Sequence, residues 1–200
     1  MSISNPRCPG VDADDSPLIR YYDFHGGYDS NGNAQTIEAF PNGFQMISGN
    51  TYQRNFSFPV PDPPQPWPED QKTQFALSQK ALGFNCLNYN GAAEPSLYRH
   101  FLPDKAYLDA NCPQGVRFEL MFPSCWNGEL DSHNHKDHVA FPDQVMSGNC
   151  PPGYDRRLIS LFYETIWNTA AFVGQEGQFV LANGDPTGKQ PSFPLQLSTC

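Results

Sequence analysis

The chain has 200 residues, of which 38% are hydrophobic and 14% aromatic, enough for one domain with a substantial core. Its formal charge of -9 argues against nucleic acid or an anionic membrane as a partner, since both need a positive footprint. With 20 prolines, 16 glycines and only 16% charged residues, a helical bundle is excluded in favour of a loop-rich, mainly β, α+β domain.

Residues 1–17 are polar, carry Pro6, Pro9 and Gly10 beside Asp12, Asp14 and Asp15, and are read as a disordered leader. The domain follows over 18–188. LIRYYDFHGG predicts a strand that stops at Gly26-Gly27, with His25 as a structural turn residue. An Asn42-Gly43 turn then precedes Phe44, Met46 and Ser48, which alternate onto one face of a second strand. SFPVPDPPQPWP places six prolines in twelve positions and reads as a polyproline-like surface segment or linker. Glu69 to Leu82 is the best helix candidate, packing through Phe75, Leu77, Ala81 and Leu82 and ending near Gly83.

GFNCLNYNG and the turn-prone GAAEPS lead to LYRHFLP, read as an irregular connection, in which Arg99 and His100 are candidate ligand contacts or, on the plainer reading, a snorkelling side chain and a cap. Val116 to Phe122 alternates as a half-buried strand, with Val116, Phe118, Leu120 and Phe122 inward. Arg157 to Trp167 predicts one buried strand, and Glu164 in its middle is a polar anomaly. A short strand, Phe179 to Ala182, ends in the turn Asn183-Gly184-Asp185-Pro186, and the tail at 189–200 has no clear element.

Cysteines 8, 86, 112, 125, 150 and 200 form no CxxC pair, so disulfides in an oxidising compartment are expected. Cys86 with Cys112 and Cys125 with Cys150 would each close a loop of roughly 25 residues, worth on the order of 3 kcal/mol. A pairing of Cys8 with Cys200 is left open. Asn55-Phe56-Ser57 is an N-glycosylation acceptor and fits secretion. No run approaches a membrane span, and MSISNPRCPGVDADDSP has no apolar signal region, so the chain is expected to lack its beginning.

FPSCWNGELDSHNHKDH, residues 122–138, holds three of the five histidines and is the densest candidate site. His133 and His135 would share a face of a strand, His135 and His138 a face of a helical turn. Asp131 and Asp137 beside them permit a metal site, an acid/base pair or a solvated loop; metal and cofactor are both unknown at this level. Glu164 with Asp131 or Asp185 fits the two-carboxylate arrangement of a glycoside hydrolase, and the plain alternative is an ion pair with Arg99, Arg117 or Arg157. Trp126, Trp167, Tyr89, Tyr98 and Tyr163 are candidates for stacking on sugar rings. GxSxG, GxGxxG and P-loop signatures are absent, and Ser124 beside a disulfide cysteine is a poor nucleophile.

Taken together, FPSCWNGELDSHNHKDHVAFP, SLFYETIWNT, LANGDPTG, AFPNGFQMISGN and ALSQKALGFNCLN resemble the fungal secreted family known as domain of unknown function nineteen-ninety-six. The resemblance is clearest over 35–188. It implies a secreted or cell-surface protein, in some members joined to WSC-type carbohydrate-binding modules, with fungal wall or plant polysaccharide as the partner class. Cys125, Trp126, Asp131, His135, His138, Glu164, Trp167, Asn183, Asp185 and Gly188 fall on the family's pattern, whereas His133 does not. An HVHxxHGG-like segment and an HGDF-like motif typical of members are missing, and the tail diverges. Two functions are implied. One is a carbohydrate-active hydrolase with His135, His138, Asp131, Glu164 and Asp185 around the pocket. The other is a non-catalytic glycan-binding or wall-structural module that uses Trp126, Trp167 and Asn183.

Overall fold

In a computed structural model of the chain, residues 28–50, 53 and 56–179 are described in full, together with the backbone of 2–4, 20–22, 180 and 197–199. In chain order the elements are β1 (Ser2–Ser4), β2 (Arg20–Tyr22), β3 (Ile37–Glu38), β4 (Met46–Ser48), α1 (Gln74–Lys80), β5 (Leu82–Cys86) and α2 (Lys105–Asn111). They continue as β6 (Val116–Met121), β7 (Cys125–Trp126), β8 (Val139–Ala140), β9 (Arg156–Leu158), β10 (Phe162–Trp167), β11 (Gln178–Val180) and β12 (Leu197–Thr199). The α+β, mainly β class follows. One four-stranded sheet runs β2-β10-β6-β5, a second runs β3-β9-β7-β8, and β1-β11 and β12-β4 form two-stranded pairs.

The two larger sheets are one ribbon folded at a corner. β6 pairs with β10 in the first sheet and β7 with β9 in the second, each pair antiparallel. Between them the Phe122 N–H still donates to the Leu161 carbonyl and the Leu158 N–H to the Ser124 carbonyl. Pro123 has no N–H to give, so the ladder breaks at that point and the ribbon turns. The single strand expected over Arg157–Trp167 is therefore two strands in different sheets.

β6 is central, and its apolar alternation is as expected: Val116, Phe118, Leu120 and Phe122 face the main core with Phe44, Trp126 and Val139. The opposite face is not solvated. Met121 and Phe162 pack there against Leu77 and Ala81 of α1, Trp67 and Leu97, and Glu119 is buried among them at 1% exposure.

α1 begins where the Thr73 hydroxyl accepts the Ala76 N–H and ends at Lys80, shorter than the expected 69–82. Residues 69–71 are a 3-10 turn, and Leu82, read as helical, instead opens β5. Phe75 is 59% exposed and is not part of the core. α2 was not foreseen, although Asp104 after Pro103 is the signal that marks it, its carboxylate capping the Tyr107 N–H at 2.7 Å. The proline-rich segment is docked, with Trp67 buried and its indole N–H donating to the Pro63 carbonyl at 3.0 Å. Both expected disulfides form, Cys86–Cys112 tying β5 to the end of α2 and Cys125–Cys150 tying β7 to the loop before β9. Cys8, Cys200 and His25 lie outside the described residues.

Candidate functional site: the histidine loop and its cleft

The loop between β7 and β8 is internally hydrogen-bonded, with most of its residues exposed. The Asn127 N–H donates to the His138 carbonyl across its base, and the Trp126 indole N–H donates to the Glu129 carbonyl at 2.5 Å. At its centre the Ser132 hydroxyl oxygen accepts the Lys136 and Asp137 N–H groups, each at 3.1 Å, and lies 3.0 Å from His138 Nδ1. Asn134 Oδ1 accepts the same two N–H groups at 3.0 Å. β4 and its flank then receive the loop: Gln45 N–H donates to the Leu130 carbonyl and Ile47 N–H to the His135 carbonyl.

The two family-pattern histidines are in different environments. His135 adopts a left-handed backbone, φ 55, and its Nδ1 lies 2.6 Å from Asp131 Oδ1 with both side chains part-exposed. The His135 hydrogen bond, with the Ser132 N–H, outweighs desolvation and holds the Asp131 carboxyl below its ordinary range. His138 is fully buried against the edge of Phe44, with ring centroids 5.2 Å apart. Burial lowers its pKa despite the Gln45 backbone and the Asp131 and Glu129 charges, so its ring is neutral at pH 7. His133 points to solvent.

Beside this loop a cleft of about 390 Å³ opens between the end of β4, the exposed side of α1 and the Lys136–Asp137 corner. Its walls carry amides and hydroxyls, among them Gln74, Ser78 and Gln79, with the rings of Phe75 and Tyr154 also lining it. Lys136 Nζ donates to the Gly49 carbonyl at 2.6 Å, and burial draws its pKa down against the opposing charge of Asp137. The Tyr154 hydroxyl donates to the Asp137 carbonyl at 2.7 Å. Asp131, His135 and His138 do not line the cleft, but Lys136 and Asp137, between the two histidines, do.

Glu164 is elsewhere. It pairs in register with Glu119 and faces away from the core that holds Trp126 and Val139, so β6 and β10 stand between it and the histidine loop. Arg117 Nε lies 3.2 Å from its Oε1 and Arg117 Nη2 lies 2.6 Å from Glu119 Oε1. Of the alternatives for Glu164, the structure places it in the arginine ion pair. Trp126 is 3% exposed with the Arg156 guanidinium 4.0 Å over its ring, and Trp167 is part-buried and packs on Phe118. Asn55, Asn183 and Asp185 lie outside the described residues. Among the described residues no three His, Cys, Asp or Glu side chains are grouped to hold a metal, and no helix is long and apolar enough to cross a membrane.

Sequence reasoning passed over Glu119, read as a solvent-facing strand residue, and the contact of part-buried Asp62 with buried Lys80 and His100. Only partners distant in sequence reveal either.

A family model described as Domain of unknown function (DUF1996) matches residues 9–191. The chain belongs to the DUF1996 family. The description carries no activity, and neither the curated proteins nor the solved structures include a match. For this DUF1996 member the site geometry therefore has to carry the functional reading.

Proposed function

We propose that this DUF1996 protein is a secreted or cell-surface glycan-binding module whose ligand, a neutral oligosaccharide of fungal wall or plant polysaccharide, lies in the cleft beside the histidine loop. The cleft lining carries the reading: amides and hydroxyls to meet sugar hydroxyls, with the exposed ring of Phe75 to meet an apolar pyranose face. Its volume of about 390 Å³ is within the range of small-ligand sites. Two formed disulfides support an oxidising compartment, and the wall setting is what the resemblance to fungal secreted proteins implies.

Calorimetric titration with soluble β-glucan, chitin and mannan oligosaccharides tests this. One class is expected to bind, and Phe75→Ala to weaken it roughly three- to tenfold, the worth of one stacked ring. Absence of binding by all three, or unchanged affinity in both Phe75→Ala and a cleft-filling Ser78→Trp, overturns it.

A hydrolase is the second reading, and the Asp131–His135 contact of 2.6 Å favours it. A carboxylate that orients a part-exposed imidazole is the geometry of a general base. In that case the ligand extends beyond the cleft past Lys136, so that the scissile bond reaches His135, and His135→Ala abolishes turnover while leaving affinity intact. Glu164, already held by Arg117, is not the acid in this reading.

A further inference from the structure

Lys80, the last residue of α1, has a side chain with no exposed surface. Its Nζ lies 4.2 Å from the centroid of the Trp67 ring and 5.9 Å from that of Phe58. An ammonium has three N–H donors, yet among the described residues the acceptor it meets is a single carboxylate, that of Asp62. The face of the Trp67 ring offsets part of the desolvation of this ammonium, but among the described residues its other two N–H groups meet no acceptor, and a buried, under-bonded charge is costly. An amide nitrogen at the same place has one N–H and no charge, which leaves fewer donors to satisfy and no ion to desolvate.

The remaining groups suit that chemistry. Asp62 reaches in from the proline-rich segment, and its second oxygen, Oδ2, lies 3.3 Å from His100 Nε2. His100 is itself 1% exposed, its ring tilted against Phe56 with centroids 4.7 Å apart. Its Nδ1 donates to the Leu82 carbonyl at 2.6 Å, which leaves Nε2 free to exchange a proton with the carboxyl group.

We propose that Lys80 and Asp62 form an intramolecular amide cross-link, with His100 as the proton carrier. Nζ adds to Asp62 Cγ and the C–N bond forms as the Cγ–Oδ2 bond breaks. The ammonium loses two protons; His100 Nε2 passes them to the departing oxygen, which leaves as water. Lysine ammonium plus aspartate carboxylate thus equals amide plus one water, and neither oxidant nor activating cofactor enters. Asp62 is held below its ordinary pKa, since the hydrogen bonds from His100 and Lys80 outweigh burial. The reaction therefore starts from the ion pair, and a proton passes from Nζ to the carboxyl group before Nζ adds to Cγ. Contact is enforced by the fold, so the step is unimolecular.

Mass spectrometry decides it on the unaltered chain, with disulfides reduced and any N-glycan removed. The expected intact mass is one water short of the sequence. Trypsin is expected to give residues 55–72 and 73–99 as one branched species, because modified Lys80 resists cleavage. Lys80→Arg should restore the full mass, and His100→Gln should leave a larger unlinked fraction in protein of unchanged circular dichroism. An intact mass equal to the sequence, with 55–72 and 73–80 recovered as separate peptides, overturns the proposal whatever the variants do.

Discussion

Glu119 shows how one side chain ties pH to the stability of this fold. Burial pushes its carboxyl up to about 7, against the Arg117 charge and the Leu97 N–H, and the neighbouring Glu164 adds to the rise. Because the folded pKa lies above the ordinary 4.5, the folded protein keeps a proton that the unfolded chain has released between those values. Stability is fully present below that window and falls as pH rises through it, by on the order of 3 kcal/mol. His138 acts with the opposite sign, since its folded pKa is lowered and stability is lost as pH falls through it. Glu119→Gln removes only the first effect. The variant should therefore gain on the native protein between pH 5 and pH 8 in urea unfolding; a difference that does not change with pH contradicts the assignment. Gly83 belongs to the same contact, for a Cβ there would lie 2.1 Å from Glu119 Oε2. Gly83→Ala should displace the carboxylate from the Leu97 N–H and cost about 1–3 kcal/mol. Most of that loss should disappear when the same change is made in Glu119→Ala, as a double-mutant cycle will read.

Among the elements, the histidine loop depends on one hydroxyl. Ser132 Oγ collects two backbone N–H groups and the His138 ring, and no other side chain in the loop joins its apex to its buried end. Ser132→Ala should cost about 1 kcal/mol. It should also speed amide exchange at Lys136 and Asp137, which keep only the Asn134 carbonyl. Exchange as slow as in the native protein would mean that Asn134 alone holds the loop. β6 is the complementary case, an element held by packing. Phe118, 2% exposed and ringed by Phe84 and Trp167, should cost about 3–5 kcal/mol when changed to Ala, measured by thermal or urea unfolding.

For the whole molecule, the disulfides and the bent ribbon are the long-range constraints. Cys86–Cys112 and Cys125–Cys150 close loops of 26 and 25 residues. Reduction should remove on the order of 3 kcal/mol for each, seen as a lower melting temperature in reductant than in its absence. An unchanged melting temperature would place the stability in the two cores alone.

The local rules were enough for the α+β, mainly β class, the inward faces of β4 and β6 and both disulfides. Each rests on spacing along the chain: a period of two, or two cysteines at a loop-sized interval. The same rules read Arg157–Trp167 as one strand and Glu119 as solvated, because the corner at Pro123 and the second apolar layer over β6 are contributed by segments far away in sequence. Proximity of Asp131 to His135 was legible within one short loop. The separation of Glu164 from that loop was not, since it depends on which face of a sheet each strand presents. Tertiary packing alone brought Asp62, Lys80 and His100 into one pocket: a strand-to-strand register and a docked proline segment, neither encoded by local propensity, determine which buried groups meet.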